Sequence, residues 1–117
     1  MKKQDWQIDN ILDISRILSI HYKSLTHRQR EKIRIKLWIY QDGHCAICNI
    51  KIQVSKGCLD HSHTTGLIRG LLCSNCNTGL GSFKDNKLNL RAAIRYVTNS
   101  LRLDETIEHY YEYTNEL

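Results

Sequence analysis

Four cysteines in two pairs, Cys45-x-x-Cys48 and Cys73-x-x-Cys76, constrain this chain more than any other feature. A Cys-x-x-Cys pair lets one short turn present two thiolates to one ion. Two such pairs complete a closed tetrahedral Zn²⁺ shell with no open position for chemistry. The interval between the pairs, residues 49 to 72, is 24 residues long, slightly more than the usual zinc-ribbon spacing. Asp60, His61 and His63 lie inside it, and Asn77 directly follows the last cysteine. The four thiolates read as a structural site; the carboxylate, the imidazoles and the amide suit a second metal of a different kind. Cys58, the odd thiol, has no partner at ligand spacing and is expected as a small buried side chain. His44 sits beside Cys45 and is expected to be exposed.

Read in full, the run from Leu59 through Asp60-His61-Ser62-His63-Thr64-Thr65-Gly66 and Arg69-Gly70-Leu71-Leu72 to Cys73-Ser74-Asn75-Cys76-Asn77 resembles the recombination endonuclease VII family. That family is a branch of the HNH, or ββα-metal, nucleases found largely in bacteriophages. The resemblance extends upstream to Gln41-Asp42-Gly43-His44-Cys45-Ala46-Ile47-Cys48 and downstream to Leu80-Gly81-Ser82-Phe83-Lys84-Asp85, roughly the middle half of the chain. It implies an α+β fold, mainly helical, in which a zinc-stapled ββα-metal (His-Me finger) core is flanked by helices. On this reading the chain is a single domain in three parts. Residues 1–25 are a helical arm, 26–85 the zinc-stabilised core with its leading helix, and 86–117 a helical segment with an acidic tail.

Composition agrees with this reading. A chain of 117 residues has room for one small domain, whose limited core gains from a metal staple. Five cysteines without a signal-peptide pattern argue for a reducing compartment and thiolate ligands instead of disulfides. No apolar run approaches the length needed to cross a bilayer, so no membrane partner is expected. Charge is unevenly placed. Residues 104 to 117 carry five acids and no Lys or Arg, which leaves 17 bases against 7 of the 12 acids on the other 103 residues. A body this basic attracts polyanions through phosphate contacts, and DNA is the expected partner.

Several elements follow from local pattern. Ile8, Ile11, Leu12, Leu18 and Tyr22 recur near helical spacing and predict a helix from about Asp9 to about Tyr22. Thr26 with Gln29 forms a Thr-x-x-Gln capping box that opens a second helix running to about Gln41. Ile33, Ile35, Leu37 and Ile39 also alternate as in a strand, but the cap and the resemblance favour helix. Arg28, Arg30, Lys32, Arg34 and Lys36 line this element mainly as solvated charges. Asp42-Gly43 turns the chain into the first thiolate pair. Residues 50–60 and 68–72 read as two strands joined by the polar stretch 61–67. A helix begins at Ser74 and carries Asn77 in its first turn. Asp85 or Asn86 then caps a core helix in which Leu90, Ile94, Val97 and Leu101 recur, and Asp104 opens a last acidic helix.

Phosphodiester hydrolysis needs an activated water and positive charge on the crowded phosphate, which a hard cation held by few protein oxygens supplies. By the resemblance, Asp60 and Asn77 bind Mg²⁺ or Mn²⁺, His61 is the general base, and His63 assists at the phosphate or the metal. Cys45, Cys48, Cys73 and Cys76 hold the structural Zn²⁺. The ends produced are 5′-phosphate and 3′-hydroxyl, the setting is the cytoplasm of a phage-infected bacterium, and the flanking helices could build a homodimer. Junction resolution and nicking both fit this core. Where some members carry an acidic residue three positions after the metal-binding Asn, this chain has Leu80. Arg69 and Gly70 are expected to fix the hairpin. The alternative is a zinc-stabilised nucleic-acid-binding module that never cleaves, which has no need of Asp60, His61 and Asn77 together. Adjacent strand residues point to opposite sides, so Asp60 and His61 can enter one site only where the strand bends.

Overall fold

The capping box defines the longest of the described helices. In the computed structural model, which describes residues 14–98, helix α2 spans His27–Tyr40. The Thr26 hydroxyl accepts the Gln29 N–H at 3.2 Å, and the Gln29 amide oxygen accepts the Thr26 N–H at 2.8 Å, so two orphan donors of the first turn are satisfied reciprocally. Of the alternating apolar residues, Ile33 and Leu37 are buried, whereas Ile35, Ile39 and Tyr40 face solvent. The period is therefore helical.

Helix α1 is short, Ile14–Ile17, and the chain then turns. This corrects the expected helix from Asp9 to Tyr22: its first residues lie outside the described range, and Tyr22 opens a 3₁₀ turn, Tyr22–Ser24. The reason is tertiary. Ile20 accepts the Ile68 N–H at 3.1 Å, Tyr22 donates its N–H to Gly66 at 2.9 Å, and His21 bridges Leu67. These residues serve as a short edge to a hairpin more than forty residues downstream, a pairing no local helical pattern can compete with.

That hairpin pairs β1 (Cys58–His61) antiparallel to β2 (Ile68–Leu72). The expected first strand was longer. Residues 50–57 instead wrap around the first thiolate pair, with Ile50 accepting the Cys45 N–H and Ile52 donating to Gly43, and then form a 3₁₀ turn at Val54–Lys56. His61, assigned from sequence to the connector, belongs to β1. The other edge of β2 is covered by the Gln41 side chain, whose amide takes both the N–H and the C=O of Leu71 at 2.9 Å, much as a neighbouring strand would. Ile17, Leu25, Ile33, Leu37, Ile68 and Leu71 form the main core. Each such fully buried side chain stabilises the fold by about 1.5–3 kcal/mol.

Helix α3 runs from Ser74 to Ser82, and Gly79 and Gly81 do not interrupt it. It ends in two successive left-handed residues, Lys84 (φ 54°) and Asp85 (φ 55°). Such conformations cost about 1–2 kcal/mol each for residues other than glycine, and here they turn Asp85 back toward the hairpin. Of the described residues, 14–85 belong to one compact unit and 86–98 to a second. In the second, helix α4 spans Lys87–Thr98, with Asn86 Oδ1 accepting the N–H groups of Leu88 and Asn89. Asn86, then, is the cap. The helix was expected in the core, but Ile94 and Val97 are exposed and none of its described residues is buried. Leu101 and the acidic tail from Asp104 lie outside the described residues.

Candidate functional site

The first knuckle leaves α2 through Asp42 and Gly43, both left-handed, and reaches Cys45, which is buried. The Ile47 N–H donates to Cys45 Sγ at 3.5 Å, and Cys45 accepts the Asn49 N–H at its carbonyl. The second pair straddles the start of α3: Cys73 is its N-cap, and its sulfur accepts the Cys76 N–H at 3.4 Å. The ligand atoms of Cys45, Cys48, Cys73 and Cys76 all lie within 4.8 Å of one another. Four sulfurs at the usual Zn–S distance of about 2.3 Å form a tetrahedron with edges of about 3.8 Å. Cys48 Sγ and Cys73 Sγ are 3.7 Å apart, so the donor set fits one zinc ion.

Without a cation the four thiols cannot all ionise. Burial works to raise the Cys45 pKa, but N–H groups of Cys73, Cys48 and Ile47 outweigh it and bring the thiol down to about 6. Cys76 is pushed up to about 12 by desolvation, by hydrogen bonds with its three sister thiols and by the Cys45 charge. An ion of charge +2 removes that conflict, which is why metal and proton compete for such a set. His44 takes no part: among the described residues the ligand cluster is cysteine alone. Cys58 is half-buried, not fully buried as expected.

The hairpin carries the second cluster. Register is regular from Cys58 opposite Leu72 to Asp60 opposite Gly70, then slips: His61 stands opposite Ile68. Arg69 is thus the extra residue of a β-bulge on β2. Bulges bend a strand and re-aim its side chains, which is the bend that Asp60 and His61 require. Asp60 is buried, and Arg69 grips its carboxylate through Nε to Oδ2 at 2.6 Å and Nη2 to Oδ1 at 3.1 Å. The third guanidinium nitrogen, Nη1, reaches Asp85 Oδ1 at 2.8 Å. Asp85 Oδ2 accepts the His63 N–H at 3.4 Å, so the turn, the bulge and the end of α3 are tied together. Burial works to raise the Asp85 pKa, yet the bonds from Arg69 and His63 overcome it and hold the carboxyl below its ordinary value. A pocket of about 230 Å³ opens beside Asp60 and Arg69, walled by Ala46, Ile47, Leu72 and Leu80.

His61 is ringed by aromatics and cations. Its imidazole lies 4.0 Å from the Tyr22 ring at an interplanar angle of 7°, and 5.6 Å from the His63 ring. Burial pushes its pKa below the usual value, and the nearby charges of His63, Arg69 and Arg30 add to this against the opposing pull of Asp60. The group is therefore neutral at pH 7 and able to accept a proton.

Asp60, His61 and His63 thus come together on one hairpin. Asn77 lies in the first turn of α3, donating its N–H to Cys73, with its side chain exposed. Helix α3 packs on both strands. Three participants were not legible beforehand. Tyr22 read as part of a helical face, Arg30 as a solvated charge and Asp85 as a helix cap; each joins the cluster through long-range pairing that has no local signature. Magnesium needs only one or two carboxylates, its remaining positions going to water and substrate oxygens. Both oxygens of the buried Asp60 are bonded to Arg69, so a cation at this carboxylate would have to share them with the guanidinium or displace it.

A family model described as recombination endonuclease VII matches residues 15–99 of this chain. The Gene 59 protein of Mycobacterium phage L5 is 38% identical over 66 residues, which cover 55% of this chain and 40% of that protein. The Gene 59 protein of Mycobacterium phage D29 is 40% identical over 63 residues, covering 52% and 38% respectively. The matched region therefore spans about two fifths of the length of these relatives. Among the described residues no helix is long and apolar enough to cross a membrane.

Proposed function

Because this chain belongs to the recombination endonuclease VII family, we propose that it is a metal-dependent DNA endonuclease of the HNH type, phage-encoded and acting in the cytoplasm of the bacterial host. The observation that carries the reading is the bulged hairpin, which sets a buried carboxylate, Asp60, beside a neutral imidazole, His61, under a cluster of cations. A binding module that never cleaves needs positive charge but has no need of Asp60, His61 and Asn77 together.

In this reading Asp60 and Asn77 hold Mg²⁺ or Mn²⁺, which when bound neutralises charge on the phosphate and polarises it. His61 takes a proton from a water molecule as that water attacks phosphorus. The P–O3′ bond breaks, the departing oxygen takes a proton from solvent, and the products are a 5′-phosphate and a 3′-hydroxyl. His63, whose ring faces that of His61, contacts the phosphate. Arg69 orients Asp60, and Asp85 orients Arg69. The zinc centre does no chemistry: it holds the segment at Cys45 and Cys48 against β2 and α3. The substrate class we favour is branched DNA, cut by a homodimer, since two sites are needed to cleave both strands of a junction. The core proposed at residues 26–85 carries Asp60, His61, His63 and Asn77.

The decisive experiment is cleavage of single-stranded DNA, linear duplex, supercoiled plasmid and a four-way junction, with and without Mg²⁺, by wild-type protein and His61→Ala. The variant is expected to keep zinc and DNA affinity while cleavage falls by roughly 10²-fold or more, the range for losing a general base. Cleavage by His61→Ala at the wild-type rate would sink the mechanism, and no cleavage by the wild type on any substrate would favour the binding module.

A further inference from the structure

We propose that Tyr22 is a positioning residue for His61, fixing the plane of the imidazole by stacking where no hydrogen bond does so. The inference rests on the endonuclease reading, in which His61 is the base, and adds to it the group that orients the base. A catalytic imidazole must come within about 2.6–3.2 Å of the water it deprotonates, and side-chain bases are commonly turned into line by a hydrogen bond to their second nitrogen. Among the described residues no hydrogen bond reaches either ring nitrogen of His61. What it has instead is a near-parallel aromatic face, 4.0 Å away and tilted by 7°. Contact of this kind fixes the plane of the ring while leaving both nitrogens open to water and phosphate.

The stacking partner is itself anchored from three directions. Its backbone N–H is held by the Gly66 carbonyl at 2.9 Å, and its carbonyl accepts the Leu25 N–H at 3.2 Å. Its carbonyl also accepts Arg30 Nη2 at 3.3 Å. The Arg30 guanidinium carbon lies 4.0 Å from the Tyr22 ring centroid. With His61 already 4.0 Å from one face, a guanidinium at that distance has room only over the other, so the tyrosine ring is clasped between a cation and an imidazole. Arg30 Nε is buried without a hydrogen-bond partner, a cost that a purely structural residue at this position would avoid. Cation–π attraction to the ring is the compensation the geometry offers.

The test compares Tyr22→Leu, Tyr22→Phe and His61→Ala in zinc-loaded protein, by single-turnover cleavage and by DNA affinity. Tyr22→Leu is expected to cleave about 10- to 10²-fold more slowly, the scale of loss when a reacting group is displaced by about an ångström. Its DNA affinity should be unchanged, and Tyr22→Phe, which keeps the ring, should cleave at the wild-type rate. If His61→Ala is inactive while Tyr22→Leu cleaves normally, the positioning role is wrong and the base assignment stands. If His61→Ala cleaves normally, the base assignment fails and this inference with it. Should leucine at position 22 cost zinc or fold, the wild-type protein decides. Ring protons of Tyr22 and His61 are expected to show mutual nuclear Overhauser contacts, and their absence would overturn the proposal.

Discussion

Replacing Arg69 with methionine should weaken the fold and, at the same time, strengthen its response to divalent cations. The guanidinium makes three charge-assisted contacts, at 2.6 and 3.1 Å to Asp60 and 2.8 Å to Asp85. Both carboxylates are 10% exposed, whereas the arginine itself is 37% exposed. Removing one partner of a fully buried pair costs about 3–5 kcal/mol, and a solvent-exposed pair is worth about 0–1 kcal/mol. Water reaches the arginine but hardly the acids, so the loss should fall between these limits, at about 2 kcal/mol. Methionine keeps an unbranched apolar stem and adds no large cavity. With a urea slope of about 1–2 kcal/mol/M for a domain of this size, the denaturation midpoint should drop by about 1–2 M. The measurement needs zinc retained, no chelator and no added Mg²⁺. Titrating Mn²⁺ should then restore the variant more than it stabilises the wild type, because a ligand binding only the folded state stabilises it by RT ln(1 + [L]/Kd), and without Arg69 the Asp60 carboxylate binds the cation unopposed. A midpoint equal to wild type would show that the two ion pairs carry no weight. A variant indifferent to Mn²⁺ would show that Asp60 is not a cation ligand.

Further outcomes follow from the sulfur cluster, the surroundings of His61 and the hairpin turn. Cys73→Ser removes a zinc ligand while its hydroxyl can still cap α3, so the purified protein should lose zinc by elemental analysis and, through the metal alone, its cooperative melt by circular dichroism. Zinc retention in a colorimetric chelator assay should also weaken as pH falls, since Cys76, at about 12 in the metal-free set, competes for its proton. Cleavage should hold as pH drops below 6.5, the ordinary histidine value, because burial and neighbouring cations keep His61 neutral there. In the window between that value and the lower folded pKa, the unfolded chain binds the proton and the native one does not. His61 therefore makes stability fall as pH decreases through that window, which urea midpoints at stepped pH would register. Gly66→Ala places a methyl group 2.2 Å from His21 Nε2 on a backbone at φ +77°. It should cost about 1–2 kcal/mol for the left-handed conformation alone and slow cleavage through Tyr22.

What the sequence disclosed, and what it hid, divide along the range of the interactions. The thiolate pairs, the Thr26–Gln29 box and the helix after Cys73 are specified by neighbours within a few residues, and all three appear where expected. Asp60, His61 and His63 were identifiable by type and order. The slip in register between the first two is expected from sequence only as a bend without a cause; the cause is the extra residue Arg69 on the opposite strand. Ile20–Tyr22 has the apolar spacing of a helix but pairs with Gly66–Ile68 instead. Ile50–Ile52 has strand composition but closes the metal knuckle. In both, a partner distant in sequence overrides local preference, and Tyr22, Arg30 and Asp85 enter the site by the same route.

The position of the sulfur cluster along the chain has a topological consequence. An ion bound to Cys48 and Cys73 closes residues 49 to 72 into a ring, and Asp60, His61, His63 and Arg69 all sit on its circumference. A ring tolerates one break. A protease nick at the exposed Thr64–Thr65 tip would leave two fragments joined by one metal ion in addition to the strand pairing and the core they share. Covalent continuity of the hairpin and its mechanical integrity are thus separate properties in this molecule, and four sulfurs contribute to the second.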